Sequence, residues 1–310
     1  MNRILNNRAF TLVELMIVIA IIGGLMVALI TPISNAAEAA RGARCKNNLR
    51  NLAQAALNYA SAGKYHHLPC AGSYDYAVPD LKRKVMYREQ GAWVGWTGRP
   101  KGDQISPGSG AKTANCFAES QKMSVHDPAF QSISNGVLYS LVGGDIKVYG
   151  CDAHKKVCKE FGKTALRSYV MNPYFGWARS GNNKPNSERR VSLTALSRHG
   201  DASKLLLFAE MPCYKPGSRE TDVKTSESAS DGVLQTKIVD SLYSTSSGSE
   251  EYIGFNHTSG RRNSGHVAFA DGHVDAVVEP TTATEKDLQD ITRAFCNGLE
   301  IEQRLQKRMR

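Results

Sequence analysis

The sequence predicts an α+β protein: one long N-terminal helix packed on a small antiparallel β-sheet head. Three observations predict it. From Leu15 to Ile30 no side chain is charged or strongly polar. A segment rich in Ala, Leu, Gln and Asn follows, with Leu49, Leu52, Ala56, Leu57 and Ala60 near helical spacing. Beyond Gly136, short β-like runs alternate with Ser-, Thr- and Gly-rich stretches that read as exposed loops. These signals divide the 310 residues into a helix over 10–62 and a head over 63–310.

Composition narrows the function classes. Hydrophobic residues at 41% and charged residues at 22% are ordinary globular usage, which excludes wholesale disorder and a polytopic membrane protein. Seven cysteines in so long a chain do not make a disulfide scaffold. The net charge is +10, but the Lys and Arg residues are scattered with no run of five, so they read as a solvated surface and no nucleic acid is expected as a partner. No GxSxG, HExxH, P-loop or dinucleotide fingerprint is present, so the reading is of a non-enzyme without a cofactor.

The N-terminal 31 residues carry the sharpest signal. Phe10–Thr31 holds one charge, Glu14. As a helix it spans about 33 Å, enough for a bilayer core of about 30 Å. Arg3 and Arg8 lie upstream, and Arg41, Arg44, Lys46 and Arg50 downstream, so flanking charge does not orient the span. A secretory signal peptide would have a shorter apolar run and no acid within it. A plain anchor accounts for the length but not for Glu14, since a carboxylate in hydrocarbon costs at least about 2.5 kcal/mol.

A third reading accounts for both. The string RAFTLVELMIVIAIIGGL resembles the N-terminus of type IV prepilins and type II secretion pseudopilins. The resemblance implies that residues 1–9 are a leader cut between Ala9 and Phe10 by a prepilin peptidase/methyltransferase. It implies N-methylation of Phe10 and an assembly role for Glu14, the fifth mature residue. Where that family has Gly before the cut, this chain has Ala9, the next smallest side chain. Loss of Arg3 and Arg8 takes two positive charges from +10 and leaves about +8. The physics of the role is direct: cleavage leaves an amine at Phe10 near the membrane face, and the Glu14 carboxylate of a neighbouring subunit offsets it as helices pack. The competing reading is that Glu14 snorkels to the headgroups.

The resemblance further implies a pilin-like fold with a membrane stalk over about 10–31, in a single-pass protein of the bacterial inner membrane with its head in the periplasm or on an extracellular filament. The implied partners are the inner membrane, other pilin-like subunits and a secretion or pilus assembly platform.

In the head, strands are expected at 137–142, 145–150, 168–172, 204–210, 251–256, 266–270 and 273–278, with a further one at 233–239. A C-terminal helix is expected over about 285–305. It opens on a capping-box pattern at Thr284 and Asp287 and repeats Leu288, Ile291 and Phe295 at helical spacing. The long helix is expected to kink near Pro32 and Gly42.

The segment HVAFADGHVDAVV reads as a hairpin with Asp271-Gly272 as a two-residue type I′ turn. That register puts Val267, Phe269, Val274 and Ala276 on the core face and His266, His273 and Asp275 on the other. His266 then lies about 13 Å along from His273, too far for one zinc ion, so no metal is expected there. FADGHV also resembles the C-terminal signature (His, nine residues, Asp-Gly) of a subgroup of prepilin-like proteins, through Asp271, Gly272 and His273. The upstream His position holds Arg261, and His257 lies further back. Cys151-Asp152, SYVMN (168–172) and KLLLFAE (204–210) resemble that subgroup more loosely.

The odd number of cysteines leaves at least one unpaired or paired between chains. Cys151 and Cys158 are close enough in sequence to close a small disulfide loop, and Cys45 on the long helix is the expected unpaired thiol. Two rivals to the pilin-like reading stand: a secreted or membrane-tethered binding domain with no filament role, and a metal-dependent hydrolase.

Overall fold

The computed structural model describes residues 11–62, 66–73, 79–80, 85–86, 91–94, 116, 127–160, 162–175, 177–178, 191–198, 201–212, 232–234, 236, 251–259 and 262–298. The chain divides into two compact units, Met1–Arg41 and Gly42–Arg310. One helix, α1 (Leu12–Ala62), contributes its first part to the one and its remainder to the other, and it runs through Pro32 and Gly42 without interruption.

In the first unit, α1 starts at a reciprocal cap. The Thr11 amide and hydroxyl both donate to Glu14 Oε2, at 2.9 and 3.0 Å, and the Glu14 amide donates to Thr11 Oγ1 at 3.3 Å. The helix then presents Leu12, Val13, Leu15, Met16, Ile17, Val18, Ile19, Ile21, Ile22, Leu25 and Met26, none less than 45% exposed. Among the described residues, no helix is long and apolar enough to cross a membrane. The expected span over 10–31 includes Phe10 and residues 27–31, whose side chains lie outside the described set.

In the second unit the same helix behaves differently. Cys45, Leu49, Leu52, Ala53, Ala56 and Ala60 recur at helical spacing and are all buried. They form the principal core with Trp93, Tyr149, Tyr169 and Phe208. Trp93 and Phe208 meet edge to face at 5.0 Å.

The short strands β1 (Gly72–Ser73), β2 (Pro79–Asp80) and β3 (Val85–Met86) and the helix α2 (Pro128–Ser134) come first in this unit, then α3 (Asp152–Glu160). Next are β4 (Tyr169–Met171), β5 (Trp177–Ala178), α4 (Leu193–Arg198), β6 (Leu206–Glu210), β7 (His257–Ser259), β8 (Arg262–Phe269), β9 (Val274–Val278) and α5 (Glu285–Asn297). β1 pairs in parallel with β5, and β2 pairs antiparallel with β3. β4, β6, β8, β7 and β9 make the main sheet, antiparallel throughout. Ser264 of β8 pairs with both His257 and Val278, and Ala268 with both Phe208 and Val274. So β6 and β7 share one flank of β8 and β9 holds the other.

Both faces of this sheet are covered. Ala268 and Ala270 enter the core formed with α1, whereas Val267 and Phe269 enter a second core with Cys296 of α5. Phe269 meets Phe295 at 5.7 Å. The central strand β6 therefore reads as an apolar run closed by Glu210, and all five of its residues are buried.

The sheet confirms the strands expected at 168–172, 204–210, 266–270 and 273–278. Three others differ. Residues 137–142 form successive turns that end on Gly143 and Gly144, both at positive φ. Leu138 still packs in the core, so burial rather than strand pairing explains its apolar pattern. Residues 146–149 form a 3-10 turn capped by Asp145, whose carboxylate accepts from the Lys147 amide. Residues 251–256 are an irregular segment threaded against β6, where the Gly254 amide donates to the Glu210 carbonyl. A Cβ on Gly254 would lie 2.1 Å from the Met211 carbonyl oxygen, and one on Gly265 2.0 Å from the Gly254 oxygen, so both glycines are required by close backbone approach. Of 233–239, Val233 makes one bridge to Met171, and residues 235 and 237–239 lie outside the described residues.

The β8–β9 hairpin corrects the expected register by one residue. His266 opposes Ala276 and Ala268 opposes Val274. The connection has three residues: the Gly272 amide donates to the Phe269 carbonyl, and the Phe269 amide to the His273 carbonyl. Gly272 supplies the positive φ of +92° that such a loop needs after its turn. A one-residue shift flips side chains to the opposite face, so His266 parts from His273 and Asp275.

Helix α5 begins with the expected box. Thr284 Oγ1 accepts from the Asp287 amide, and Asp287 accepts from the Thr284 amide. It closes sooner than expected, because Gly298 adopts a left-handed conformation at φ 64° and its amide returns to the last-turn carbonyls. Residues 299–305 of the expected helix lie outside the described residues.

Candidate functional site

Two places gather candidate functional residues. At the N-terminus the expected cleavage pair, Ala9 and Phe10, lies outside the described residues. Glu14 is described, and it is spent on the helix cap with Thr11, a local use of its carboxylate that the sequence reading omitted. The pattern Thr-x-x-Glu before an apolar run signals it.

The second place is buried in the head. Four elements bring polar side chains to one point. Cys45 comes from the buried stripe of α1, Glu210 from the end of β6, His257 from the start of β7 and His266 from the middle of β8. All are 4% exposed or less. One donor atom from each lies within 4.8 Å of the others. Glu210 Oε1 is 3.0 Å from His266 Nδ1 and 3.1 Å from His257 Nε2. The two imidazoles lie 4.4 Å apart between centroids. Burial pushes the Glu210 carboxyl up, and the hydrogen bonds and electrostatic attraction of the His257 and His266 rings more than offset it, so it is held below the usual carboxylate range.

Cys151, just ahead of α3, completes the cluster. Its sulfur is 3.2 Å from His257 Nε2, and it is joined by a disulfide to Cys45, with Cα atoms 5.3 Å apart. This corrects the expected Cys151–Cys158 pair and the expected unpaired Cys45. Cys158 lies seven residues further along α3, about 10 Å of helical rise, beyond the Cα separation of about 7 Å that a disulfide spans. Its sulfur instead lies 3.7 Å from the ring nitrogens of His154. Tyr169 backs the cluster with its hydroxyl 3.2 Å from Cys45 Sγ, and burial holds that phenol well above its ordinary range, so it stays protonated.

The residues that resemble a C-terminal signature sit elsewhere. Asp271, Gly272 and His273 form the β8–β9 connection, where Asp271 Oδ1 accepts from the His273 amide and His273 stacks on Phe269 at 4.3 Å. They shape the turn and stay apart from the buried cluster. Their neighbour Asp275 is exposed. The sequence singled out Tyr169 and Glu210 only as parts of a loose resemblance, gave Cys151 the wrong disulfide partner and placed His266 with the wrong neighbours. The structure brings them together with Cys45 and His257. Asn172, from the same SYVMN segment, ties the sheet to α5 by donating to the carbonyls of Leu206 and Cys296.

Comparison with known proteins bears on the first place. No curated protein and no solved structure matches the chain. Residues 4–30 match the family described as the prokaryotic N-terminal methylation motif. That match supports a prepilin-type protein, points to a structural subunit rather than an enzyme, and implies processing by a prepilin peptidase, assembly with pilin subunits and a membrane-anchored or extracellular pilus location.

Proposed function

We propose that this chain is a membrane-anchored, pilin-like structural subunit of a type II secretion or type IV pilus-like assembly. The observation that carries the reading is the match of residues 4–30 to the methylation motif, on a helix whose described apolar side chains from Leu12 to Met26 are all exposed. A soluble domain does not leave eleven large apolar side chains in water, so a bilayer or neighbouring copies of the helix must cover them. Cleavage falls between Ala9 and Phe10, Phe10 is methylated, and the leader 1–9 is lost. Glu14 is then the fifth residue from the new amine on Phe10, and its carboxylate exchanges its cap on Thr11 for the amine of a neighbouring subunit. The head stays on the periplasmic side.

N-terminal sequencing of protein recovered from membranes tests this. Methyl-Phe10 as the first residue is the expected result. An end near Ala36–Ala39, or an intact Met1, would replace it with the tethered or secreted binding domain. Glu14→Val is expected to insert but not to assemble, and normal filaments from that variant would remove Glu14 from the mechanism.

A further inference from the structure

We propose that the buried cluster in the head is a redox-gated site for one zinc-class divalent transition metal ion, with Cys45 Sγ, Glu210 Oε1, His257 Nε2 and His266 Nδ1 as ligands. The proposal concerns the head alone and is independent of the filament reading.

Four protein donors would complete a tetrahedral coordination shell: one thiolate, two imidazoles and one carboxylate, each a known zinc ligand type, all buried and from four separate elements. Soft sulfur with imidazole selects zinc, copper or cobalt over calcium or magnesium. The spacing fits. A tetrahedral ion with bonds of about 2.0–2.3 Å holds its donors about 3.3–3.7 Å apart. Here the His266 and His257 nitrogens lie 3.0 and 3.1 Å from the Glu210 oxygen they share, and one donor from each of the four ligands falls within 4.8 Å of the rest. The two nitrogen–oxygen pairs need a few tenths of an ångström of outward movement, and no other donor pair starts more than 4.8 Å apart. Two imidazoles and a carboxylate collected in a dry core have no packing benefit over apolar residues of similar volume, so an ion that takes one donor atom from each explains the collection better than burial does.

The disulfide supplies the gate. With Cys45 bound to Cys151, no thiolate is available and the site is closed to metal. A dithiol reductant delivers two electrons and two protons. The S–S bond breaks, Cys45 and Cys151 become thiols, and the reductant leaves as its own disulfide. The ion then displaces the proton from Cys45 Sγ, while Cys151 remains a thiol beside His257 Nε2. In either state α1 is stapled, to α3 through the disulfide or to β6, β7 and β8 through the metal.

The test uses the full chain in detergent. It is reduced with a dithiol, freed of excess reductant under argon and titrated with cobalt(II) alone, then with zinc(II). The expected result is about one cobalt per chain with tetrahedral visible bands and a thiolate-to-cobalt charge-transfer band, all bleached by zinc. The unreduced protein is expected to show no charge-transfer band. Cys151→Ser is expected to bind without reductant, because Cys45 then has no disulfide partner. Glu210→Gln and His266→Ala are expected to weaken cobalt binding at least about tenfold. Reduced wild-type protein that keeps its circular dichroism but binds no cobalt overturns the proposal and leaves a hydrogen-bonded cluster. So does a cobalt spectrum without the thiolate band, or binding that is equal before and after reduction. The wild-type comparison decides the matter even where a variant does not fold.

Discussion

Helix α1 is two helices in physical terms. Its first part offers apolar side chains on every side and all of the described ones are exposed. Its last part offers a stripe from Cys45 to Ala60 and buries all of it. The secondary structure is the same, and the difference lies in what each part needs from its surroundings. An all-round apolar helix must be covered from outside the chain, by lipid or by other copies. A striped helix is satisfied by its own domain.

This contrast can be broken in several ways, from large effects to small. Deleting residues 10–31 should move the protein from the membrane fraction to the soluble one while the head keeps its circular dichroism, as fractionation and spectroscopy would show. Loss of the head's signal would mean that the two parts are not independent. Leu52→Ala should cost the head about 2–5 kcal/mol in denaturant unfolding, because Leu52 is fully buried in the principal core. Leu15→Ala should stay within about 0.5 kcal/mol in the same measurement, since Leu15 is 59% exposed. Equal effects would erase the distinction.

A finer probe is Gly265→Ala. Its Cβ would meet the Gly254 carbonyl oxygen, so the backbone must shift at about 1–3 kcal/mol. Gly23→Ala in the exposed part meets nothing within 4 Å and should not lower the head's unfolding midpoint. The two capping boxes give the smallest contrast. Thr284→Ala should destabilise α5, and with it the head, by about 1 kcal/mol. Thr11→Ala should leave the head's unfolding midpoint unchanged, because its cap belongs to the other unit. Chemical labelling adds a check on the buried head: burial pushes the Cys116 thiol up to about 12, so iodoacetamide at pH 8 should not modify it until the head unfolds.

Much of the architecture was legible in the sequence because it rests on local signals. The Thr284 box, the apolar stripe of α1 and the strands around Tyr169, Leu207 and Val267 follow from short-range chemistry and periodicity. The misread segments share a cause. VLYSLV and DIKVYG are apolar because Leu138 and Tyr149 are buried, and burial by itself does not separate a turn from a strand. The hairpin failed by one residue because Asp-Gly suits a two-residue loop and a three-residue loop alike, with Gly272 at positive φ in both. That single residue decided whether His266 met the surface or the core.

By itself the sequence determined the match of residues 4–30 to the N-terminal methylation motif, since an acid within an apolar run is a linear feature that needs no tertiary contact. It also determined the helix-plus-sheet class through the change of hydrophobic period along the chain. Tertiary structure alone decided the buried cluster. Cys45, Cys151, Glu210, His257 and His266 are spread over more than 220 residues, and no spacing rule connects an α-helix to three strands and a loop. Only the stacking of α1 on the sheet, with the register of β6, β7 and β8, brings donor atoms of Cys45, Glu210, His257 and His266 within 4.8 Å of one another, with Cys151 beside His257.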